Sequence, residues 1–181
     1  MEEDIKKWKI LESKYISKRP WLTARCDKVQ LADGRINDEY YVLEYPDWVN
    51  VIAITKDGKF VMEKQYRHGM GIMSTELPCG VAEPGEDPLV ATQRELLEET
   101  GYGHGKWTKL MTIAPNPSSM NNWAHCYLAE GVEKIAEPCL DATEELSVML
   151  MSREEVRSLL TEGKIAQALM VAPMYKYFFA M

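Results

Sequence analysis

The segment from Gly80 to Tyr102 constrains this chain more than any other, because it gathers acids and glycines around one short helix. Its sequence is GVAEPGEDPLVATQRELLEETGY. Asp87 can cap the start of a helix, and Pro88 suits its first turn. Gly101 can end the same helix in a left-handed conformation. The segment therefore predicts a helix that runs from Pro88 to about residue 100.

Three glutamates share one face of this predicted helix. At about 100° per residue, Glu95, Glu98 and Glu99 point in similar directions. Acids at these spacings repel each other by roughly 0.2–0.5 kcal/mol per pair on an isolated helix. An oxygen-rich cluster of this kind suits a hard divalent cation, Mg²⁺ or Mn²⁺. A separate arc of the helix can bury its apolar side chains, which are Leu89, Val90, Leu96 and Leu97.

The spacing of these residues resembles the Nudix box. Every charged and glycine position of the box is filled, and the one departure is Tyr102, where an aliphatic residue is more usual. The resemblance implies a hydrolase that cleaves a diphosphate with the help of Mg²⁺ or Mn²⁺. It also implies the α+β Nudix fold, in which a mixed β-sheet is sandwiched between helices as α/β/α layers. The matching positions are Gly80, Glu86, Arg94-Glu95, Leu96, Glu98-Glu99 and Gly101.

The same resemblance assigns the metal ligands residue by residue. Glu95 and Glu99 are the expected direct ligands, and Glu98 is either a ligand or an outer partner that takes part in catalysis. The backbone carbonyl of Cys79 commonly joins them. Two other charged residues of the box are expected to hold the loop against the helix, and these are Glu86 and Arg94.

Two motifs upstream of the box point to one branch of the family. Residues 76–80 read ELPCG and residues 65–67 read QYR, and both resemble ADP-ribose pyrophosphatases and related ADP-sugar hydrolases. The resemblance makes Arg67 the candidate phosphate clamp, since a guanidinium suits bidentate contact with phosphate. It places Glu76 among the substrate-binding residues. Pro117 marks the same branch downstream, although NPSS stands where Ser-Pro-Gly is frequent.

The catalytic base is expected in the segment from Asp141 to Leu146. Glu144 best matches the position of a catalytic glutamate in the resembling branch, and Glu145 is the neighbour that stays open. A glutamate close to the metal and the substrate can orient and deprotonate the attacking water. Two solvated acids before a strand would explain the same residues without any catalytic role.

The first 45 residues lie outside the core pattern of the family. Residues 1–45 are predicted to form an antiparallel β appendage, and residues 46–181 the Nudix hydrolase domain. In the resembling branch such an appendage joins two subunits, which implies a homodimer. Trp21 and Trp48 are candidates for stacking on the adenine, although core or interface packing is the better explanation for each of them taken singly. Tyr41 and Tyr45 are further aromatic candidates. Residues 42–44 read VLE where many relatives carry Val-x-Arg.

Composition narrows the class of protein further. The net charge of −7 over 181 residues argues against a general nucleic-acid binder. No apolar run approaches the roughly 20 residues of a membrane span, and the first residues lack the features of a signal peptide. The four cysteines are scattered without a CxxC pair, which indicates reduced thiols in a cytoplasmic protein.

Several local structures are also predicted. Strands are expected at Trp48–Thr55 and Leu146–Met151, a loop at residues 67–74, and a short strand at residues 75–78. Residues 132–143 are expected to be mostly loop. A capping box at Ser152 predicts a helix to about residue 160, and a last helix is expected at about residues 165–179.

The leading prediction is a pyrophosphohydrolase that acts on a small nucleotide, with ADP-ribose as the first candidate and AMP and ribose 5-phosphate as products. Alternatives keep the chemistry and change the substrate to GDP-mannose, NADH, or a CoA or flavin derivative. A second class is a ligand sensor without catalytic activity. Such sensors normally carry a DNA-binding extension and often a damaged box, whereas the box of this chain is intact.

Overall fold

The computed structural model describes residues 6–181, which divide into two compact units. The first contains the described residues up to Tyr45 together with Asn116–Asn122, and the second contains Pro46–Pro115 and Trp123–Met181. Residues 1–5, on which the signal-peptide prediction partly falls, lie outside the described residues. Across residues 6–181, no helix has the length and apolar character that crossing a membrane requires.

The first unit is an antiparallel sheet with the strand order β1-β2-β3. The segment Asn116–Asn122 belongs to this unit because its backbone bonds to β3, and Leu43 N donates to the carbonyl of Ser119 at 2.7 Å. This sheet confirms the predicted N-terminal β structure. The strands are β1 (Lys9–Arg19), β2 (Leu22–Gln30) and β3 (Ile36–Glu44).

The second unit has one sheet and helices on both of its faces. Its strands are β4 (Trp48–Thr55), β5 (Phe60–Arg67), β6 (Ile72–Glu76), β7 (Cys79–Val81), β8 (Tyr102–Gly103), β9 (Lys106–Ile113), β10 (Ala124–Lys134) and β11 (Leu146–Met151). Its helices are α1 (Pro88–Thr100), α2 (Arg153–Thr161) and α3 (Ala168–Phe179).

The sheet of the second unit is mixed. Its main order is β11-β5-β4-β10-β8, with β6 paired to β5, β7 to β4, and β9 to β10. The pairing of β4 with β10 is parallel, whereas the other pairings are antiparallel. This arrangement puts β4, a strand rich in β-branched residues, at the centre of the sheet, where both of its faces are buried.

Alternation along β4 creates two cores. Val51 and Ala53 pack on the α1 side with Leu96, whereas Ile52 packs on the other side with side chains of α2 and α3. Successive strand residues point to opposite faces, so one strand supplies both layers. The α/β/α arrangement predicted from the family resemblance is confirmed.

Helix α1 begins and ends where its caps predict. The Asp87 carboxylate accepts hydrogen bonds from the backbone N–H groups of Leu89 and Val90, at 2.8 and 3.4 Å. Gly101 adopts the left-handed conformation with φ 76°, and its N–H donates to the carbonyl of Leu97. The predicted capping box of Ser152 with Glu155 is also present at the start of α2.

Two local predictions were wrong, and a third holds except at its start. The chain from Ile72 to Val81 forms β6 and β7 rather than a loop and one short strand, because a tight turn at Gly71, with φ 68°, folds β6 back along β5. Residues 132–143 are mostly loop as predicted, although pairing with β8 extends β10 as far as Lys134. Helix α3 begins at Ala168, while Ile165 is buried in the core ahead of it.

We expect Gly101→Ala to lower the free energy of unfolding by about 2–3 kcal/mol. A side chain in the left-handed region costs roughly 1–2 kcal/mol, and a Cβ on Gly101 would also overlap the backbone carbonyl of Ala136. Gly163→Ala is the matched control, because Gly163 has φ 68° but open space around it. Urea unfolding should show the smaller loss, about 1 kcal/mol, for Gly163→Ala. Equal losses in the two variants would contradict the packing argument.

Candidate active site

The acids of α1 are held by the backbone of the short strand β7. Cys79 N donates to Glu99 Oε2 at 2.9 Å, and Val81 N donates to Glu95 Oε1 at 3.2 Å. Both carboxylates therefore lie against the edge of the sheet rather than in solvent. Two of the predicted metal ligands are brought together in this way.

Gly80 lies between these two backbone donors, and its lack of a side chain makes the arrangement possible. A Cβ built on Gly80 would overlap the carboxylate of Glu95. The glycine is required here for close approach, since its backbone is not in the left-handed region. The first glycine of the box is thus explained by the position of one acid.

Arg94 connects the loop of the box to the helix. Its guanidinium donates to Glu86 at 3.1 and 3.0 Å and to the carbonyl of Val81 at 3.0 Å. It also donates to Glu95 at 3.0 Å and to Glu98 at 3.1 Å. The hydrogen bonds with Glu86 raise the pKa of Arg94 and lower that of Glu86. Glu98 is half-exposed, so it lies at the outer side of the cluster.

Glu99 is the most deeply buried acid of the helix, with 4% of its surface exposed. Burial raises its pKa well above the usual range, and the nearby Glu63 carboxyl raises it further. Burial likewise raises the pKa of Glu95. Carboxyl groups in such surroundings favour either a proton or a metal cation over free ionisation.

Glu63, on β5, belongs to the same cluster but was missed by the sequence reasoning. It is 0% exposed, and neither of its carboxylate oxygens has a hydrogen-bond partner in the part of the chain that the structure describes. Strand alternation puts it on the α1 side with Val61, and its neighbour across the sheet is Glu76. The sequence did contain one signal for Glu63, because it is an acid at an inward-facing position of the otherwise apolar stretch FVME.

Arg67 is held in place by Glu76. Its Nε and Nη2 donate to the two oxygens of Glu76 at 2.9 and 2.5 Å, and the Cys79 thiol lies 3.7 Å from Nη2. Glu76 is buried, whereas 40% of the Arg67 side chain is exposed. The ion pair raises the pKa of Arg67. Glu76, predicted to bind the substrate, therefore contacts the guanidinium that was predicted to bind the phosphates.

Glu144 and Glu145 lie in the exposed turn before β11. The Glu144 carboxylate accepts a hydrogen bond from Asp141 N at 3.0 Å, which orders the turn. The charge of Glu144 contributes to the raised pKa values of Glu63 and Glu99, after the larger effect of burial. Glu144 is thus close enough to interact with the buried acids.

The remaining predicted substrate residues are distributed between the two units. Trp21 and Pro117 belong to the first unit, where Trp21 is 68% exposed in a turn with φ 61°. Trp48 belongs to the second unit, where it opens β4 and pairs with Val81 of β7.

The donor set suits a hard divalent cation, although the side chains are not yet arranged around one. Among residues 6–181, no three His, Cys, Asp or Glu side chains are placed to hold a metal ion as they stand. Glu95 contacts Arg94, and Glu99 contacts the backbone of β7, so binding requires these side chains to rotate. The chemistry still fits, because carboxylate oxygens suit Mg²⁺ and Mn²⁺ and the buried oxygens of Glu63 lack a partner.

Two protein families match the chain. The family described as the nucleoside diphosphate sugar hydrolase N-terminal domain matches residues 8–43. The family described as the NUDIX domain matches residues 44–172.

Curated relatives match most of the chain. The methanol dehydrogenase activator of Bacillus methanolicus is 32% identical over 87% of this chain and 88% of its own length. The ADP-ribose pyrophosphatase of Bacillus subtilis is 31% identical over 88% of this chain and 89% of its own length. An ADP-ribose pyrophosphatase of Mycobacterium tuberculosis is 31% identical over 82% of this chain and 72% of its own length.

A solved structure shares the fold. The crystal structure of an ADP compounds hydrolase superposes with a TM-score of 0.79 and covers 97% of each chain. Its sequence is 20% identical, so this likeness concerns the fold alone.

Proposed function

We propose that this chain, which belongs to the NUDIX family, cleaves the diphosphate of a nucleoside diphosphate sugar with a bound Mg²⁺ or Mn²⁺. The family match and the ADP-ribose pyrophosphatase relatives make it a hydrolase. The observation that carries the proposal is that the amides of β7 hold two carboxylates, the buried Glu99 and the partly buried Glu95, beside the box glycine.

In this proposal, Glu95 and Glu99 hold the cation, with Glu98 at its outer side and the backbone carbonyl of Cys79 as a further donor. When bound, the cation would neutralise phosphate charge and lower the pKa of a water molecule. The burial of Glu99 supports this role, since a nearby dication stabilises an ionised carboxylate in a site that disfavours it.

Arg67 is proposed to bind the diphosphate. Its hydrogen bonds to Glu76 occupy Nε and Nη2, and 40% of the side chain is exposed to an incoming ligand. The bidentate contact with a buried acid fixes the plane of the guanidinium before the substrate arrives. Glu76 thus acts by positioning Arg67.

Glu144 is proposed to orient the attacking water and accept its proton. Its turn is ordered by the hydrogen bond from Asp141, and its charge reaches the buried acids. Water attack on the diphosphate breaks one P–O bond and releases two phosphate monoesters. For ADP-ribose, the products are AMP and ribose 5-phosphate.

ADP-ribose is the first substrate candidate because two of the relatives that match most of the chain are ADP-ribose pyrophosphatases. The N-terminal family described for nucleoside diphosphate sugar hydrolases supports the same class of substrate. Trp21, Trp48 and Pro117 are proposed as substrate contacts on the family resemblance. The cytoplasm is the proposed location, supported by four cysteines that form no disulfide in the structure.

A homodimer formed through the N-terminal sheet is also proposed. Strand β1 is an edge strand, and its side chains are exposed on both faces. Ile10 and Ile16 are 56% and 61% exposed. A long edge strand with exposed apolar side chains is a surface that proteins normally cover with a partner.

A product-resolved hydrolysis screen tests the proposed activity. We expect purified protein with Mg²⁺ or Mn²⁺ to convert ADP-ribose at a kcat/KM well above that for ADP-glucose, GDP-mannose, NADH, CoA and nucleoside triphosphates. Glu99→Gln should lower kcat by about two orders of magnitude or more, with an unchanged circular dichroism spectrum. Preferential turnover of another compound would support the proposed metal site but contradict ADP-ribose as the substrate. Tight binding of ADP-ribose without turnover would favour the sensor.

Matched substitutions can distinguish the roles of Glu144 and Glu145, the two acids in the turn before β11. We expect Glu144→Gln to lower kcat by about 100-fold, in the range typical of a lost general base. Glu145→Gln, which makes the same chemical change at the next residue, should retain nearly full activity. The reverse ranking of the two variants would transfer the role to Glu145.

The dimer is tested by charge on the edge strand. We expect the double substitution Ile10→Glu and Ile16→Glu to convert a dimer into a monomer in sedimentation velocity, because buried carboxylates oppose association. Val90→Glu is the control, since it adds a carboxylate at a 53% exposed apolar side chain on α1. A wild-type protein that sediments as a monomer would refute the dimer.

A further inference from the structure

Glu63 is a buried charged residue for which neither the fold nor the ligand set described above has a use. Its side chain is 0% exposed on the α1 side of β5, where Val61 two residues earlier belongs to the apolar core. On its two flanks in the sheet, Glu63 pairs with Glu76 of β6 and Val148 of β11. A strand built only for packing would carry an apolar residue here.

The described chain offsets the burial of the Glu63 carboxyl only in part, because burial raises its pKa more than Glu99 and Arg67 lower it. Both of its oxygens lack a hydrogen-bond partner among residues 6–181. The nearby cation, Arg67, directs its Nε and Nη2 to the two oxygens of Glu76. A buried carboxylate that is left unpaired costs several kcal/mol if it is ionised. Such a carboxyl is therefore stable either in its protonated form or beside a positively charged ligand.

The groups around Glu63 indicate where such a ligand would bind. Its carboxyl interacts with Glu99, which is the most deeply buried acid of α1, and with the thiol of Cys79. Glu144 approaches the same acids from the turn before β11. Acids from β5, α1 and the β11 turn thus influence one another, and a bound cation would stabilise their ionised forms.

We propose that Glu63 is an additional carboxylate of the metal site, facing the divalent cation together with Glu99. The inference rests on the proposed metal-dependent function and deepens it. A carboxylate from the sheet adds to those from the helix, so the site binds the cation more tightly than the box residues alone would allow. The same carboxylate destabilises the protein when no cation is bound.

These two consequences are opposite in sign and can be measured without substrate. We expect Glu63→Gln to weaken Mn²⁺ binding by about 10- to 100-fold, the range found for groups that support metal ligands. Titration calorimetry or the paramagnetic resonance signal of free Mn²⁺ measures this. The melting temperature of the metal-free variant should equal or exceed that of the wild type, and the increase caused by Mn²⁺ should shrink.

Three further variants complete the test. Glu154→Gln makes the same change at an exposed glutamate of α2 and should leave Mn²⁺ binding unchanged. Glu99→Gln should weaken binding, which verifies that the assay reports the proposed site. Glu63→Met keeps the length of the side chain without any polar atom, so it provides a second measurement if Glu63→Gln does not fold.

The outcomes separate the two proposals. Weaker Mn²⁺ binding in both Glu63→Gln and Glu63→Met supports a charged ligand. Unchanged binding in Glu63→Gln, while Glu99→Gln loses affinity, overturns the role of Glu63 alone. Retained affinity in Glu63→Gln with loss in Glu63→Met would make Glu63 a neutral hydrogen-bond partner of Glu99, which also overturns it. A wild type that binds no Mn²⁺ would refute the metal-dependent function together with the role of Glu63.

Discussion

Two backbone hydrogen bonds from a strand of three residues determine where the site lies. The amides of Cys79 and Val81 fix Glu99 and Glu95 against the sheet, so the helix that carries these acids cannot rotate freely about its axis. The absent side chain of Gly80 makes room for the contact. Arg94 then connects the same helix to the loop before it. A rigid helix and a rigid strand thereby position the candidate metal ligands more accurately than loops would.

The parts of the fold that follow from local rules could be predicted from the sequence. Asp87 and Gly101 determine the ends of α1, because a cap and a left-handed glycine act over a few residues. The fold of the second unit could be predicted because the spacing of the box residues resembles that of a known family. The start of β6 could not be predicted, since it depends on pairing with β5 after the turn at Gly71. Pairing between strands is a tertiary interaction, which overrides the local preference of the chain.

The site could be predicted to the extent that its residues lie in one motif. Glu95 and Glu99 come from a single helix, and their spacing alone places them side by side. Glu63 comes from another strand, and only the packing of that strand against α1 brings it to them. Glu76 was predicted to bind the substrate, and its ion pair with Arg67 is the reason that we propose a positioning role for it instead. Sequence patterns thus name the residues of a motif more readily than the partners that a sheet brings to them.

The parallel pairing of β4 with β10 affects how the protein can fold during its synthesis on the ribosome. Strand β4 is central and apolar, yet its neighbour β10 is synthesised much later in the chain. The first unit is likewise completed only by Asn116–Asn122. Most of the chain must therefore emerge before either unit closes, and during that time the β-branched surface of β4 stays uncovered. Folding of this chain is therefore expected to finish only late in its synthesis.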